Sequence, residues 1–291
     1  MSNEDDIREF LTTRRAKVTP ARAGLPAIGK QRRVSGLRRE EVALLAGISV
    51  EYYTRLERGN ARGVSEGVLD AVSGAMRLDE AEHDHLLDLA RTANSERPPR
   101  RTSTPQHVSR TIQRLVDAMD GVPAFVRNGR MDYLHANPLA VALYSEAFRD
   151  PARPVNSARF AFLDPRARTF YVDWDRTAHD IVAHLRCEAG RSPYDRTLSD
   201  LIGGLSMRSE EFRFLWAGHD VRLHRSGTKR FRHPLVGDLT LAYEALDVLG
   251  DAGLTIIAYS AEPGTPADEA LHELARWSST RARLEVAGAR R

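Results

Sequence analysis

The sequence predicts two unlike folds in one chain: an all-helical bundle over the first hundred residues, then an α+β domain built on an antiparallel sheet. Three observations carry this. Apolar residues recur at helical spacing through the first segment; the polar stretch Asn94 to Gln106, with three prolines, breaks that period; beyond it, short apolar alternations bounded by turn residues stand among longer helical patterns. A length of 291 residues suits two domains.

The elements follow in order. Helical patterns cover 4–15, 39–46, 50–58, 65–76 and 79–92, with Ser65 placed to cap the fourth, and Asp79 and Glu82 spaced as a capping box for the fifth. Within them, REEVALLAGISVEYYTRLER, Arg39 to Arg58, reads as a complete helix-turn-helix. Ala43, fifth of the twenty, must be small where the second helix crosses. Gly47, ninth, can take the positive φ of the turn, and Val42, Ala46, Ile48, Tyr53 and Leu56 form the seam between the helices. Ser49 is placed to cap the second helix and Gly59 to end it. An ordinary helical hairpin is the alternative. Val18 to Gly36, rich in Pro, Gly and Arg, is a long loop, read either as a phosphate-contacting arm or as a spacer.

Asn94 to Gln106 has the composition of an exposed linker. After it, VPAFV and MDYLHA flank Asn128-Gly129, a hairpin signal in which both turn residues can take φ > 0. Helices are expected near 137–147, 173–189, 195–206 and 209–217, and strands at DVRLHR, KRFRHP, DLTLAYEALDV and LTIIAYSA. Thr265-Pro266 opens a last helix with Leu271, Leu274 and Trp277 on one face. The domains are thus 1–93, a linker at 94–106, 107–264, and a C-terminal helix and tail at 265–291.

Charge is uneven. Arg14 to Arg62 holds twelve Lys or Arg against four acids, whereas Gly63 to Glu96 holds two against eight, in a chain whose formal net charge is only +3. A positive field concentrated on the helix-turn-helix suits a phosphate backbone. Hydrophobic residues at 42% and charged residues at 29% are ordinary for a globular chain with real cores. No apolar run approaches a membrane span and MSNEDDIREFL lacks an apolar signal region, so the expectation is a cytoplasmic protein without membrane partners. The single cysteine, Cys187, rules out an internal disulfide and reads as a packing residue. His219, His224 and His233 lack metal-ligand spacing, and no nucleophile elbow, phosphate loop or dinucleotide fingerprint occurs. The expectation is no enzyme and no metal.

The strings GVPAFV, DYLHANPLA, FLDP, Asp173-Trp174, LRCEAGR, RSEEFRFLWAGHDV and SGTKRFRHPLVGDLTLAYE, in that order, resemble the ligand-binding domain of MmyB-like transcription regulators. GLRREEVALLAGISVEYYTRLERG likewise resembles the Xre-type, lambda-repressor-like helix-turn-helix domain that accompanies it. Many such domains place Ser or Thr where this chain has Arg38, which leaves Glu41 as half of a capping box. The resemblance implies a PAS-like second domain, a central antiparallel sheet with helices over a cavity, and a fatty-acyl ligand.

The residues themselves are compatible. Phe148, Phe160, Tyr171, Trp174, Phe212, Phe214 and Trp216 on helical segments, facing Leu239, Leu241, Tyr243, Ile256, Ile257 and Tyr259 on strands, could line an acyl tunnel or simply form core. Arg186 could meet a ligand carboxylate, with Asn137 and His233 adding hydrogen bonds; the alternative for each is a structural tie. On the recognition helix, Ser49, Val50, Glu51, Thr54 and Arg55 face base edges. Arg55 suits guanine, Glu51 cytosine N4 and Val50 a thymine methyl, while a Glu51–Arg55 surface pair is the plainer reading, compatible with the first. Arg39, Arg58, Asn60 and Arg62 are assigned to phosphates. The whole predicts a transcription regulator binding a double-stranded operator, expected as a homodimer, its DNA affinity set by a small apolar, fatty-acyl ligand and no further cofactor. The alternative is a ligand-free second domain serving interaction or dimerisation.

Overall fold

The computed structural model describes residues 3–25, 34–94, 107–218, 226–251 and 253–288, with side chains to Thr280. Two compact units emerge. The first holds the N-terminal helices together with Arg186–Ser199 and a segment beginning at Leu215; the second holds the sheet and its helices. The predicted linker lies outside the described residues except for Asn94, as do the strand at DVRLHR, His219, His224 and the basic cluster Lys30 to Arg33.

The N-terminal part of the first unit is five helices: α1 (Asn3–Lys17), α2 (Arg39–Ala46), α3 (Val50–Glu57), α4 (Glu66–Ala75) and α5 (Glu80–Asn94). Their starts are set by side chains. Ser49 Oγ accepts from Tyr52 N at 3.1 Å, Ser65 Oγ from Val68 N at 3.4 Å, and Asp79 and Glu82 exchange both bonds of a capping box at 2.9 and 3.1 Å. At α2 the Arg38 N–H donates to Glu41 Oε2 at 2.7 Å, so the half box works without a hydroxyl cap. Gly47 turns the chain at φ 66°. Gly59 is required twice over: its φ is +99°, and a Cβ there would lie 2.2 Å from the Glu4 carbonyl oxygen. Ile7, Phe10, Leu11, Val42, Tyr53, Leu56, Leu69 and Leu86 fill the core. Glu57, 1% exposed, takes Arg15 Nε at 2.5 Å and Arg39 Nε, so one carboxylate ties α1, α2 and α3.

The second unit carries a five-stranded antiparallel sheet of order β2-β1-β5-β4-β3: β1 (Ala124–Asn128), β2 (Tyr133–Ala136), β3 (Ser226–His233), β4 (Gly237–Asp247) and β5 (Leu254–Ser260). Between β2 and β3 run α7 (Pro138–Leu143), α8 (Ser145–Phe148), α9 (Ser157–Leu163), α10 (Arg166–Phe170), α11 (Trp174–Arg191), α12 (Arg196–Arg208) and α13 (Glu210–Ala217), some of whose residues group with the first unit. A short α6 (Arg110–Asp117) precedes β1, and α14 (Pro266–Gly288) follows β5. Helix α14 packs on α7 and β4 with Leu271 and Leu274 buried, its start capped by Thr265 Oγ1 accepting from Asp268 N at 3.3 Å.

Three expectations change. The β1–β2 turn takes positive φ at Met131 (66°) and not at Asn128 or Gly129, because the Asn128 amide and the Asp132 carboxylate and N–H are bonded to each other at 3.0 Å and fix the turn's ends. The helix expected over 137–147 breaks at Tyr144 (φ −97°, ψ 27°), whose ring turns into the core. Helices α6, α9 and α10 were not expected.

Candidate nucleic-acid interface and interior site

Alternation along α3 separates two faces. Tyr53, Leu56 and Glu57 point inward, and the outward residues Val50, Glu51, Thr54, Arg55 and Arg58, with Asn60 just beyond the helix, line one concave surface of about 450 Å³. Ser49 stands at its edge as the cap. The Arg55 guanidinium lies 4.8 Å from the centre of the Tyr52 ring. No Glu51–Arg55 ion pair forms among the described residues, so the orienting partner expected from spacing is replaced by an aromatic face, and Glu51 stays exposed. Arg39 is held by Glu57, which raises its already high pKa through the hydrogen bond and then the charge, yet keeps 47% of its side chain exposed. Arg58 and Arg62 are exposed. This surface offers two arginines, an amide, a carboxylate and an apolar contact on a rigid helix, groups suited to base edges and phosphates.

The sheet of the second unit also has two faces, since successive side chains alternate. One face carries Val126, Leu254 and Ile256 against Val108 and Val116, so Ile256 turns away from the side expected for it. On the other, the register sets Phe125 beside Ile257, Tyr243 beside Tyr259, Leu241 beside Lys229 and Leu239 beside Phe231. Tyr144 descends onto this face, its ring within 6 Å of those of Phe125, Phe170, Phe231 and Tyr259, and its hydroxyl 2.5 Å from that of Tyr259. Burial raises the pKa of Tyr133, Tyr144, Tyr171 and Tyr259, which keeps these phenols neutral donors.

Two cations share that interior. Arg127, on β1 between the buried Val126 and Asn128, has a buried Nε with no hydrogen-bond partner, and Lys229 Nζ lies 5.5 Å from the Tyr171 ring centre and 5.8 Å from that of Tyr243. Burial lowers both pKa values, that of Lys229 to about 8. Neither was singled out from sequence as a site residue. The legible signal was strand alternation, which puts Arg127 in phase with Phe125 and Lys229 in phase with Phe231.

Of the residues expected to hold ligand, Tyr243 stands on this interior face. Asn137 does not have capacity to spare: its Oδ1 accepts from Ala140 N and Ala124 N, and its Nδ2 contacts the carbonyls of Val116, Met119 and Val122. It caps α7 and binds that helix to β1 and the turn before it. His233 accepts from Leu235 N at Nδ1 (3.2 Å) and meets the Ala142 carbonyl (3.0 Å) and Ser145 Oγ at Nε2, so both nitrogens serve the fold. Arg186 lies against the Trp216 ring at 4.3 Å, donates to the Trp216 carbonyl, and interacts with Asp6 and Glu9; its charge is answered within the first unit. Trp216 is the platform for that arginine. Trp174 donates to the Ala161 carbonyl at 2.9 Å under the Arg168 guanidinium, and with Phe212 flanks Phe162 in the helical layer. Phe214, at 77% exposure, lines no interior. Cys187 is buried, and burial pushes its thiol up to about 12, as a packing residue requires. Among the described residues no cluster of His, Cys, Asp and Glu could hold a metal, and no helix is long and apolar enough to cross a membrane.

A family model for the MmyB-like transcription regulator ligand binding domain matches residues 108–274, and one for a helix-turn-helix domain matches residues 9–86. No curated protein matches the chain.

Proposed function

This chain belongs to the MmyB-like transcription regulators, and on that premise we propose that its second domain holds a small apolar, fatty-acyl ligand whose occupancy changes the affinity of the helix-turn-helix for a specific operator. DNA binding and a ligand-binding domain come with the family; ligand type and coupling are the proposal. The observation that carries it is the aromatic face of the sheet, where the rings of Tyr144, Phe231, Tyr243 and Tyr259 pack together, Lys229 lies over Tyr171 and Tyr243, and Arg127 stands on the same face, both cations partly accessible. A five-stranded antiparallel sheet with helices packed on it also supports the PAS-like reading. On the DNA side, Val50, Glu51, Thr54 and Arg55 read bases, with Ser49 fixing the helix start, and Arg39, Arg58, Asn60 and Arg62 hold phosphates. Two copies on a pseudo-palindromic site would place recognition helices one DNA turn apart, so a homodimer is part of the proposal.

Coupling requires that ligand bind one conformation better than another. The test is native mass spectrometry of the purified full-length protein, with denaturing extraction of what it releases, followed by DNA binding of extracted and reloaded protein. A copurified acyl compound and a shift in operator affinity on reloading are expected. Protein that stays free of ligand, and whose DNA binding ignores acyl compounds, would instead support an interaction platform.

A further inference from the structure

We infer that Arg127 and Lys229 form the head-group subsite of the second domain, and that it takes an anion, a carboxylate or phosphate, borne by an otherwise apolar ligand. The inference rests on the acyl-ligand reading for the apolar part of the ligand and on the placement of charge for its head.

The sheet register brings both residues to one face from opposite sides of β5 and β4: Arg127 pairs with Thr255 on β5, Lys229 with Leu241 on β4. No hydrogen bond or ion pair answers either charge among the described residues, and the Arg127 Nε is buried without a partner. The charged groups acting on Lys229 are Arg127 first, then Asp180, which opposes it, then Arg176. Among the described residues two cations therefore outnumber one carboxylate around the ammonium. Among the described residues the titratable groups acting most on Arg127 are the tyrosines Tyr133, Tyr259, Tyr144 and Tyr243, all neutral at ordinary pH.

A half-buried cation with no hydrogen-bonded partner still costs free energy, and the charge of Arg127 adds to that cost at Lys229. A ring face offsets part of the charge of Lys229 but does not neutralise it. An anionic head between them would remove the repulsion, form charge-assisted hydrogen bonds with both, and accept from nearby phenols. A neutral alcohol of the same chain leaves both cations unanswered, and an amine adds a third.

The chain contains only three lysines, Lys17, Lys30 and Lys229. Full-length protein labelled at lysine 13Cε therefore gives a resolvable Lys229 signal, assigned by subtraction with Lys17→Arg and Lys30→Arg. Without ligand Lys229 should titrate near 8. Sodium butyrate, inorganic phosphate or dodecanoate should raise that midpoint by about one unit or more, since an anion favours the charged amine. By calorimetry, dodecanoate or dodecyl phosphate should bind at least tenfold tighter than dodecanol, and their ranking tells carboxylate from phosphate. Arg127→Met and Lys229→Met should each reduce that preference. Dodecanoate affinity should also fall above about pH 8, because binding then requires a proton to be taken up.

Equal binding of dodecanol and dodecanoate with an unmoved Lys229 midpoint would overturn the inference while leaving the acyl reading standing. A midpoint moved by butyrate or phosphate, with no binding of any twelve-carbon compound, would uphold the subsite and overturn the acyl reading. Should either Met variant fail to fold, the Lys229 titration of the native chain decides.

Discussion

Arg55 and Arg39 sit on the same small domain, and their surroundings differ in the way the two proposed duties require. Arg55 is exposed on the outward face of α3 and steadied by Tyr52 at 4.8 Å, so its guanidinium is free to meet a base edge. Arg39 spends one side on Glu57 and presents the rest to solvent. Arg55→Ala is expected to lose about 1 to 3 kcal/mol of operator preference with little change on random DNA. Arg39→Ala should weaken binding to both alike and lower the salt slope by about one. Titrations of operator and random duplexes over a range of salt check both, with thermal unfolding to correct for the Glu57 tie; equal losses on both DNAs for Arg55→Ala would sink its base-reading role.

His233 makes a second residue-scale case. Leu235 N–H donates to Nδ1, so the proton must sit on Nε2, facing the Ala142 carbonyl, and the ring is neutral. Burial, the leading cause, lowers its pKa below the ordinary value of about 6.5. A depressed histidine contributes stability that is complete above the unfolded pKa and declines as pH falls through the folded one, since the unfolded chain then takes the proton more readily. The second domain should therefore lose stability on acidification from pH 7 to 5, and His233→Asn should flatten that decline in chemical unfolding curves. A variant with the same acid response as the native chain would remove His233 from the account.

At the scale of elements, the helix-turn-helix depends on a few backbone positions. Gly59→Ala would bring a Cβ against the Glu4 backbone at a φ of +99°, and is expected to destabilise the first unit by about 2 kcal/mol or more and weaken DNA binding with it. Gly67, in the exposed part of α4 with open space around it, is the control: Gly67→Ala should stabilise by about 0.5 to 1 kcal/mol. Urea unfolding of both variants separates conformational strain from mere loss of a glycine.

The elements that sequence revealed were those with caps and long apolar stripes. Ser49, Ser65 and the Asp79–Glu82 pair announced α3, α4 and α5 because a capping bond lies within three residues of chain. Helix α6 lay beside a linker-like stretch, and α9 and α10 span seven and five residues around Asp164-Pro165, too short for a period to show. The Met131 turn escaped notice because a side-chain network, not a residue preference, selects it.

For the whole molecule, a regulator in which acyl ligand and operator are coupled must obey reciprocity: if saturating ligand changes operator affinity by some factor, saturating operator changes ligand affinity by that same factor. Ordinary couplings lie near 5- to 150-fold. Measuring dodecanoate affinity with and without operator, and operator affinity with and without dodecanoate, should give matching factors. No change in either direction would separate ligand holding from regulation.

The helix-turn-helix was legible from twenty residues because each requirement, a small residue at Ala43, a turn at Gly47, a cap at Ser49 and a seam through Val42, Tyr53 and Leu56, is met within that stretch of chain. The α+β class of the second domain followed from strand alternation for the same local reason. The interior could not be read so directly. Arg127 and Lys229 are about a hundred residues apart and come to one face of the sheet only through the order β1-β5-β4-β3, while Asn137, His233 and Arg186, polar residues that looked equally fit for a ligand, are consumed by backbone carbonyls, amides or a tryptophan ring that only the folded chain brings to them. Local chemistry sets the caps, turns and faces; tertiary pairing decides which polar group is satisfied by the fold and which is left without a partner.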